Sequence, residues 1–551
     1  MSACVLCSTT SRKAGEDMPS CPRETNSCTL CVKLKDLRKE IAAAKAHLAE
    51  LLSRVQPLHS ALNHAHDPFE NRLPPEVASR IFMFYVKSSN GYHGEYDTRD
   101  HFQYLPFTLG AVCKRWRDIA WATPTLWTTV NLRLDPDRMT PERSQLSRDW
   151  LERSRSLPLT LTIRSPAFLS TKVSPRERDS ILSIIDAINN HSSRWFHLTI
   201  HAPYSVISRL RGDGSGTTIL DRLEMTGRGE EVVDTDSDTT DNPNSFLMTG
   251  AVPAPTQVSI RGLRFRAVDS GLDWSNVVDV EIMGLFVGES LRLLREATRL
   301  VSCKLRVLPG RYGHTAPQHE ICHRNIKTFD IVFSSAPRMT SFFSKINLPA
   351  LNFFECDARK SSQGNHHSIA AIAAFIQRSA CLLKHLELGE LSVPNVDIIQ
   401  LLRLTPKLES LHLFDVNITD ELLDFIAETN IAPVEGDRFL PCLKSFFFSS
   451  PQTYSWTSVR HLIPLIPPAL EDRETFRPWE EIEVGVRAGD AETTFIDEVT
   501  IAYIDTLDKE KLRVVDVFGG DDFVQASRSY HNRRRKEQRE VKGSLLGGGE
   551  G

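Results

Sequence analysis

The chain has 551 residues, 41% of them hydrophobic and 25% charged, which is the composition of a globular protein. This length exceeds what one hydrophobic core usually serves, so two or more folded units are expected. A net charge of −4 excludes a strong overall attraction to nucleic acid or anionic lipid, and no apolar run approaches the ~20 residues of a membrane span. The stretch MSACVLCSTTSRKAGED lacks the apolar core of a signal peptide. We therefore expect a location in the cytoplasm, the nucleus or both, with neither a membrane nor a nucleic acid as partner.

Residues 1–29 form a cysteine-rich segment. Cys4 and Cys7 make one CxxC pair, and Cys28 and Cys31 make another, a spacing that can supply four thiolates to a zinc ion. The residues between the pairs are polar and have neither helical nor strand periodicity. We predict a disordered tail, with a small zinc knuckle as the alternative. The sequence assigns no metal ligand and no cofactor.

A heptad pattern follows the cysteines. Apolar residues alternate at spacings of four and three, forming a heptad seam at Leu30, Leu34, Leu37, Ile41, Ala44, Leu48, Leu51, Val55, Leu58 and Leu62. The seam predicts a coiled-coil-like helix over residues 30–64. This helix either pairs with a second copy, parallel or antiparallel, or packs back on its own chain. Pro57 is expected to kink or end it.

Two short amphipathic helices are predicted between Leu73 and Trp127. Pro74 and Pro75 suit the first turn of a helix, where a missing N–H costs nothing. Apolar residues of the first helix recur at spacings of three and four, at Val77, Ile81, Phe84 and Tyr85. Those of the second helix are Leu109, Val112, Cys113, Trp116 and Ala120.

Residues 68–130 resemble an F-box. That family opens with Leu-Pro and an acidic residue, continues to an Ile-Phe pair and closes with Val-Cys-Lys-x-Trp. The matching residues are Leu73, Pro74, Glu76, Ile81, Phe82, Val112, Cys113, Lys114 and Trp116. The tail RDIAWATPTLW resembles the version abundant in mushroom-forming fungi. The insertion from Lys87 to Phe107 departs from the compact pattern, and its Gly and Asn indicate a surface loop.

The resemblance implies a three-helix module that docks on the Skp adaptor of a cullin-based ubiquitin ligase. It also implies, residue by residue, which side chains the adaptor covers: Leu73, Pro74, Pro75, Ile81, Phe82, Leu109, Val112, Cys113 and Trp116. The alternative is that this stretch is ordinary helical core.

Short strands are predicted to repeat over residues 131–518. LPLTLTI alternates as a strand does, and a helix begins after Ser174, with Ile181, Ile184, Ile185 and Ile188 on one side. The repeating unit then has three apolar positions, separated by two variable residues and then by one. Its copies are Trp195/Leu198/Ile200, Leu220/Leu223/Met225, Val277/Val280/Ile282, Leu300/Cys303/Leu305, Ile326/Phe329/Ile331, Leu351/Phe354/Cys356, Leu383/Leu386/Leu388, Leu408/Leu411/Leu413 and Leu443/Phe446/Phe448. A weaker copy surrounds Ile260.

These copies recur about every 22 to 35 residues, in the range of leucine-rich repeats. PKLESLHLFDV and CLLKHLELGEL resemble such repeats directly. One unit cannot bury its apolar side alone, so neighbouring units must stack. We predict an α+β or α/β solenoid made of an irregular leucine-rich-repeat array, with a generic α/β domain as the alternative. WEEIEVGVRAG and LRVVDVF are predicted strands, and FIDEVTIAYIDTLD is a predicted helix.

Two segments interrupt the repeats and one follows them. Gly227 to Pro243 is acidic and without periodicity, which indicates a mobile loop. His314, His319, Cys322 and His323 are too loosely spaced to predict a metal site. Residues 519–551 are predicted to be a disordered tail, basic at first and glycine-rich at the end. Its basic cluster is either a nuclear import signal or a solvated helix: Arg533, Arg534, Arg535, Lys536 and Arg539.

The sequence contains no phosphate-cradling GxxxxGK[ST], no GxSxG and no HExxH motif. It therefore predicts a non-catalytic subunit, the substrate receptor of a Skp-cullin-F-box ubiquitin ligase. Its partners would be the Skp adaptor, a cullin through that adaptor, and an unknown protein substrate. Two alternatives remain: a leucine-rich-repeat scaffold with a non-functional F-box, and a zinc-bearing nuclear regulator that uses the cysteine-rich segment and the basic tail.

Overall fold

The computed structural model describes residues 29–66, 73–89, 105–135, 139–165, 174–214, 217–227, 252–263, 270–308, 319–333, 336–358, 368–391, 393–431, 439–450, 453–462, 477–486, 495–507, 512–516 and 522–546. Contacts divide the chain into two compact units, Met1–Leu126 and Trp127–Gly551, which are described separately below. Within the described ranges, no helix combines the length and apolar character needed to cross a membrane. The predictions for residues 1–28, for 228–243 of the acidic loop and for His314 lie outside the described residues.

The first unit is helical. Its helices are α1 (Thr29–His66), α2 (Pro75–Ser89), α3 (Leu105–Val112) and α4 (Lys114–Trp121). Helix α1 covers the predicted heptad segment and continues through Pro57, so the expected end at this proline is wrong. In the heptad register Pro57 lies on the side opposite the seam, where its ring removes one backbone hydrogen bond without displacing a seam residue.

The predicted second amphipathic helix is two helices. Cys113 separates α3 from α4 with an extended backbone, at φ −154° and ψ 173°. Its sulfur accepts a hydrogen bond from the Trp116 backbone N–H at 3.4 Å and so caps α4. Capping satisfies a donor that the start of a helix leaves unpaired, and the continuous apolar pattern across Cys113 does not reveal it.

In the described part of the second unit, 14 strands form a parallel sheet in which they follow one another in chain order, and β8 and β10 form a separate parallel pair. The strands are β1 (Thr129–Arg133), β2 (Leu159–Arg164), β3 (Trp195–Ala202), β4 (Arg222–Gly227), β5 (Gln257–Arg261), β6 (Asp279–Leu285), β7 (Ser302–Val307), β8 (Ile321–Cys322), β9 (Thr328–Phe333), β10 (Ile346–Asn347), β11 (Phe353–Ala358), β12 (His385–Gly389), β13 (Ser410–Phe414), β14 (Ser445–Ser449), β15 (Glu481–Val486) and β16 (Leu512–Asp516).

Helices return the chain between many of these strands. They are α5 (Pro141–Arg153), α6 (Pro175–Asn189), α7 (Tyr204–Ile207), α8 (Val287–Glu296), α9 (Ala336–Phe343), α10 (Ser368–Ser379), α11 (Asn395–Arg403), α12 (Asp420–Ile431), α13 (Trp456–His461), α14 (Glu498–Ile504) and α15 (Phe523–Leu546). Helix α6 begins where the sequence predicted, because Ser174 and Glu177 form a capping box. A parallel sheet whose strands lie in chain order is a solenoid-like α/β arrangement.

The apolar repeat forms the core of this sheet. In all nine copies named above, each of the three apolar side chains is at most 4% exposed. Adjacent strands align these positions, as in the pairing of Leu386 with Leu411 and of Leu388 with Leu413. The predicted stacking of units is therefore confirmed as a packing pattern.

The sheet begins earlier than predicted. Strand β1 begins at Thr129, inside the segment that resembles an F-box, and it pairs in register with β2. Trp127, which precedes β1, and Val130 and Leu132 on the strand have the same apolar spacing as the later copies and are buried. At the other end, β15 and β16 form where strands were predicted.

The predicted disorder of the C-terminal tail is wrong for Phe523–Leu546, which form helix α15. Phe523 and Ser527 are buried, and the His531 Nε2 lies 2.8 Å from the Ile496 carbonyl oxygen. Arg535 pairs with Glu498 on α14. These tertiary contacts anchor the first turns of α15, whereas its composition alone indicated a solvated tail.

Candidate functional site

The first candidate site lies on α2. This helix begins at Pro75, at the end of the Leu73–Pro75 segment. The Pro74 carbonyl accepts hydrogen bonds from the backbone N–H groups of Val77 and Ala78 at 3.0 and 3.1 Å. Proline at the first helical position costs no hydrogen bond, so this start follows directly from the sequence.

Helix α2 has two apolar faces. Ala78, Phe82 and Val86 are buried and at most 8% exposed. The other set, which we call the exposed face of α2, consists of Val77, Ile81, Phe84 and Tyr85, and Phe84 is 74% exposed. Large apolar side chains that remain in water along one helix face are typical of an interaction surface.

The buried face holds α2 against the other helices of this unit. The ring centroids of Phe82 and Trp116 lie 4.9 Å apart. The Ser79 and Thr123 hydroxyl oxygens lie within hydrogen-bond distance at 2.9 Å. The Arg117 Nε donates to the Gly110 carbonyl at 2.8 Å, joining α3 and α4. The exposed face therefore lies on a helix whose opposite face is already packed within this unit.

The nine side chains predicted to contact an adaptor fall into three groups. Pro74, Pro75, Ile81 and Val112 are exposed, and Leu73, Cys113 and Trp116 are half-buried. Phe82 and Leu109 are 1% and 5% exposed, so they support the helices from inside. Val77, Phe84 and Tyr85 were not among the nine, although their spacing on one face was visible in the sequence.

The second candidate site is the face of the sheet opposite its buried apolar residues, which we call the open face. Along β1, β2, β11 and β13 buried and half-exposed residues alternate, so one residue in two points to this side. One row crosses all 14 strands in register, and we call it the central row. It consists of Asn131, Thr162, Thr199, Glu224, Ser259, Glu281, Lys304, Asp330, Glu355, Glu387, His412, Phe447, Glu483 and Arg513.

The repeat in the sequence also marks this row. Each central-row residue of a repeat copy occupies the variable position between the second and third apolar residues. Glu387 lies between Leu386 and Leu388, and His412 lies between Leu411 and Leu413. Because strands of a stacked repeat align, side chains at equivalent positions become neighbours across strands.

Carboxylates crowd the middle of the open face on β9, β11 and β12. Burial, together with the charges of Asp330 and Glu387, raises the pKa of Glu355 to about 7. Burial and the same two carboxylates raise the pKa of Asp357 to about 6. Lys304 compensates part of this charge, with its Nζ 2.5 Å from Asp330. The middle of the face is therefore a region of concentrated negative charge.

Glu387 differs from its acidic neighbours. The neighbouring imidazoles of His385 and His412 lower the pKa of Glu387 to about 2, so it stays ionised beside them. The structure brings these three groups together from two strands. The loosely spaced histidines weighed in the sequence do not form a comparable group: within the described residues, His323 is buried and its Nε2 lies 2.9 Å from the Ala297 carbonyl oxygen.

Comparison with known proteins supports the first site. A family model described as F-box-like matches residues 71–133, a range that contains α2, α3, α4 and β1. All nine residues predicted from the F-box resemblance lie inside the match. It does not extend to the repeats that follow residue 133. No curated protein matches the chain.

Proposed function

We propose that this protein is the substrate-receptor subunit of a Skp-cullin-F-box ubiquitin ligase. The F-box-like segment would dock on the Skp adaptor, and the open face of the sheet would hold a protein substrate. The protein would act in the cytoplasm or nucleus by positioning its substrate, without a catalytic site of its own. Holding two reactants close raises their effective concentration, which is the gain such a subunit supplies.

The exposed face of α2 is the observation that carries this proposal. Removing a Val, Ile or Phe side chain from water is worth roughly 1.5–3 kcal/mol. Val77, Ile81 and Phe84 are between 40% and 74% exposed, so most of this gain is available to a partner. An adaptor interface of standard size buries about 800 Å² on each side, enough to include the exposed Val112 as well.

The open face suits substrate selection because its side chains vary from strand to strand. The central row carries hydroxyl, acidic, basic and aromatic groups, each in a fixed register with its neighbour. A protein segment crossing the strands would meet a different group every ~4.8 Å. Specificity would follow from that order of groups.

The docking proposal is tested with purified full-length protein and Skp adaptor. We expect the two to elute together from a sizing column. The Ile81→Ala, Phe84→Ala double variant should bind the adaptor with a loss of more than about 2 kcal/mol, roughly 30-fold, as truncation of central interface residues does.

The matched control is Leu382→Ala, which truncates a side chain that is 70% exposed in the sheet unit. It should bind the adaptor as the wild type does. If the wild-type protein and the adaptor elute separately, the F-box-like segment is not functional, and a repeat scaffold without ligase function is favoured. A Leu73→Ala, Pro74→Ala pull-down compared with wild type would also identify substrate candidates.

We further propose that α1 pairs with a second copy of the chain. Eight large seam residues, from Leu34 to Leu62, are 40–68% exposed. An antiparallel pair that overlaps fully sets Ala44 opposite Leu48 and brings Glu40 close to Arg54 of the other copy. A parallel pair instead brings Lys33 close to Arg38, which repel. The leucine that the antiparallel pair places opposite Ala44 fills the space beside this small residue, so size complementarity favours the antiparallel arrangement.

A further inference from the structure

Strands β12 and β13 bring two histidines and a glutamate together on the open face. His385 and Glu387 are two residues apart on β12, so their side chains share a face. His412 on β13 is in register with Glu387. The Glu387 Oε2 lies 3.3 Å from the His412 Nδ1 and 3.8 Å from the His385 Nε2.

These distances fit a shared cation. One donor atom from each of the three side chains lies within 4.8 Å of the other two. Donor atoms that bind one zinc ion tetrahedrally at about 2.0–2.1 Å lie about 3.4 Å from each other. Closing the remaining gap would require only small side-chain rotations.

The two imidazoles are held in suitable orientations. The His412 Nε2 lies 3.3 Å from the Ser410 hydroxyl, and a bond there leaves the Nδ1 lone pair directed at the cluster. The His385 ring stacks on Phe353 with centroids 4.1 Å apart and planes at 6°. Its Nε2 atom is buried and has no hydrogen-bond partner, which is costly unless a ligand completes it.

The surroundings supply negative charge. Glu355 is the in-register neighbour of Glu387, and Asp330 is the neighbour of Glu355 on the next strand. Asp357 lies on the same face of β11, two residues from Glu355. Lys304 pairs with Asp330 alone among these carboxylates. A cation bound at the two histidines would therefore sit in an attractive field.

We propose that His385, Glu387 and His412 bind one divalent transition-metal ion, for which zinc is the expected occupant. Two imidazoles and a carboxylate prefer such ions to Mg²⁺ or Ca²⁺, which take oxygen ligands. All three side chains are only half-buried, so a water molecule could supply the fourth ligand of the ion. This site is independent of adaptor docking on α2.

The experiment titrates chelator-treated full-length protein with Zn²⁺ by calorimetry and counts the bound ions. Glu387→Gln keeps the shape of the side chain and removes its charge. We expect this variant, and likewise His412→Gln, to lose one bound ion, with the affinity reduced by more than about 100-fold.

His197→Gln is the matched control, because His197 lies on the same face 3.7 Å from Asp221 in a pair with one imidazole. It should bind zinc as the wild type does. The thiols of residues 1–31 are the same in every variant, so the difference between variants isolates the strand site. Binding of Co²⁺ at the strand site should lack the sulfur-to-metal charge-transfer band that thiolates produce.

X-ray absorption at the zinc edge of the wild type gives a measurement that needs no variant. We expect imidazole nitrogen and carboxylate oxygen in the metal's ligand shell. Equal zinc stoichiometry and affinity in wild type and Glu387→Gln would overturn the proposal. A ligand shell of sulfur alone would overturn it as well, and the three side chains would then be a hydrogen-bonded group only.

Discussion

Helix α2 and strand β13 are both amphipathic, yet they use their apolar residues differently. On β13, Leu411 and Leu413 are 0% exposed, because neighbouring strands and helices cover them. On α2, Phe82 is covered in the same way, but Ile81 and Phe84 remain exposed. A repeated unit has a copy of itself on each side, whereas α2, within the described residues, packs mainly against the short helices α3 and α4. An apolar segment therefore becomes part of the core or a contact surface according to how many other elements pack against it.

The same contrast holds for polar residues. The exposed side chains of the sheet are mostly polar and are linked to each other across strands, as in the contact of Arg261 with Glu281 at 2.5 Å. On α2, large apolar side chains take the exposed positions. We infer that the sheet is stable by itself and selects partners by polar groups, whereas α2 needs a partner to cover it.

Truncating a core residue of the sheet is the strongest way to test this difference. Leu411→Ala should lower the free energy of unfolding by about 2–5 kcal/mol, because it removes a buried side chain and leaves a cavity. Phe84→Ala removes a larger side chain from an exposed position, and its effect should stay within about 0.5 kcal/mol. Chemical denaturation followed by circular dichroism measures both.

The outcome that contradicts this view is a loss of several kcal/mol for Phe84→Ala. That result would mean that α2 is covered within the isolated chain, and the exposed face would no longer support adaptor docking. Leu411→Ala without a measurable loss would mean that the repeat core is not tightly packed.

A smaller effect is expected on the heptad seam of α1, which is exposed as the face of α2 is. Leu51→Ala should weaken self-association by about 10- to 100-fold, since each copy loses the burial of one leucine side chain. Analytical ultracentrifugation of full-length protein over a range of concentrations measures this. Val32→Ala is the control, because Val32 is 47% exposed on the same helix but lies off the seam. A wild-type protein that sediments as a monomer at every concentration would refute the pairing.

Much of the repeat could be predicted from the sequence because its signal is local and occurs many times. Three apolar positions at fixed spacing define both a strand and its buried face, and each further copy strengthens the prediction. The central row could also have been predicted, because the residues between the second and third apolar positions of each copy align across the strands. What could not be predicted is the packing that decides between neighbours such as Ile81 and Phe82. The Trp116 ring lies 4.9 Å from that of Phe82, so Phe82 is covered while Ile81 stays exposed.

Two other differences between the sequence predictions and the structure also arise from contacts that the apolar pattern does not reveal. The break at Cys113 depends on a cap geometry that leaves no mark on the apolar spacing. Helix α15 depends on contacts with a segment about 30 residues earlier, such as that between His531 and the Ile496 carbonyl. Tertiary contacts of this kind override local composition, so a basic and polar stretch can still be helical.

The smallest effect we predict concerns the carboxylates of the open face and the pH. The pKa of Glu355 is raised from 4.5 to about 7, so the folded protein holds this proton more tightly than the unfolded chain does. A group with a raised pKa makes folding less favourable as the pH rises from its unfolded value through its folded value. The stability of the wild type should therefore fall between pH 4.5 and about 7 on account of Glu355. Asp357, whose pKa is raised to about 6, acts in the same direction.

Glu355→Gln removes the charge and should remove that part of the pH dependence. Near pH 8 the variant should be more stable than wild type by on the order of 1 kcal/mol, a value that allows for solvent screening of the half-exposed Glu355. Near pH 4 the stabilities of the two proteins should be equal. Denaturant unfolding at several pH values, with chelator present, measures the difference. Glu483→Gln is the control, because Glu483 lies in the same row but 3.7 Å from Arg513 and should gain nothing at high pH. A Glu355→Gln variant that is less stable than wild type at pH 8 would mean that attraction to Lys304 outweighs the burial and crowding of the Glu355 carboxylate.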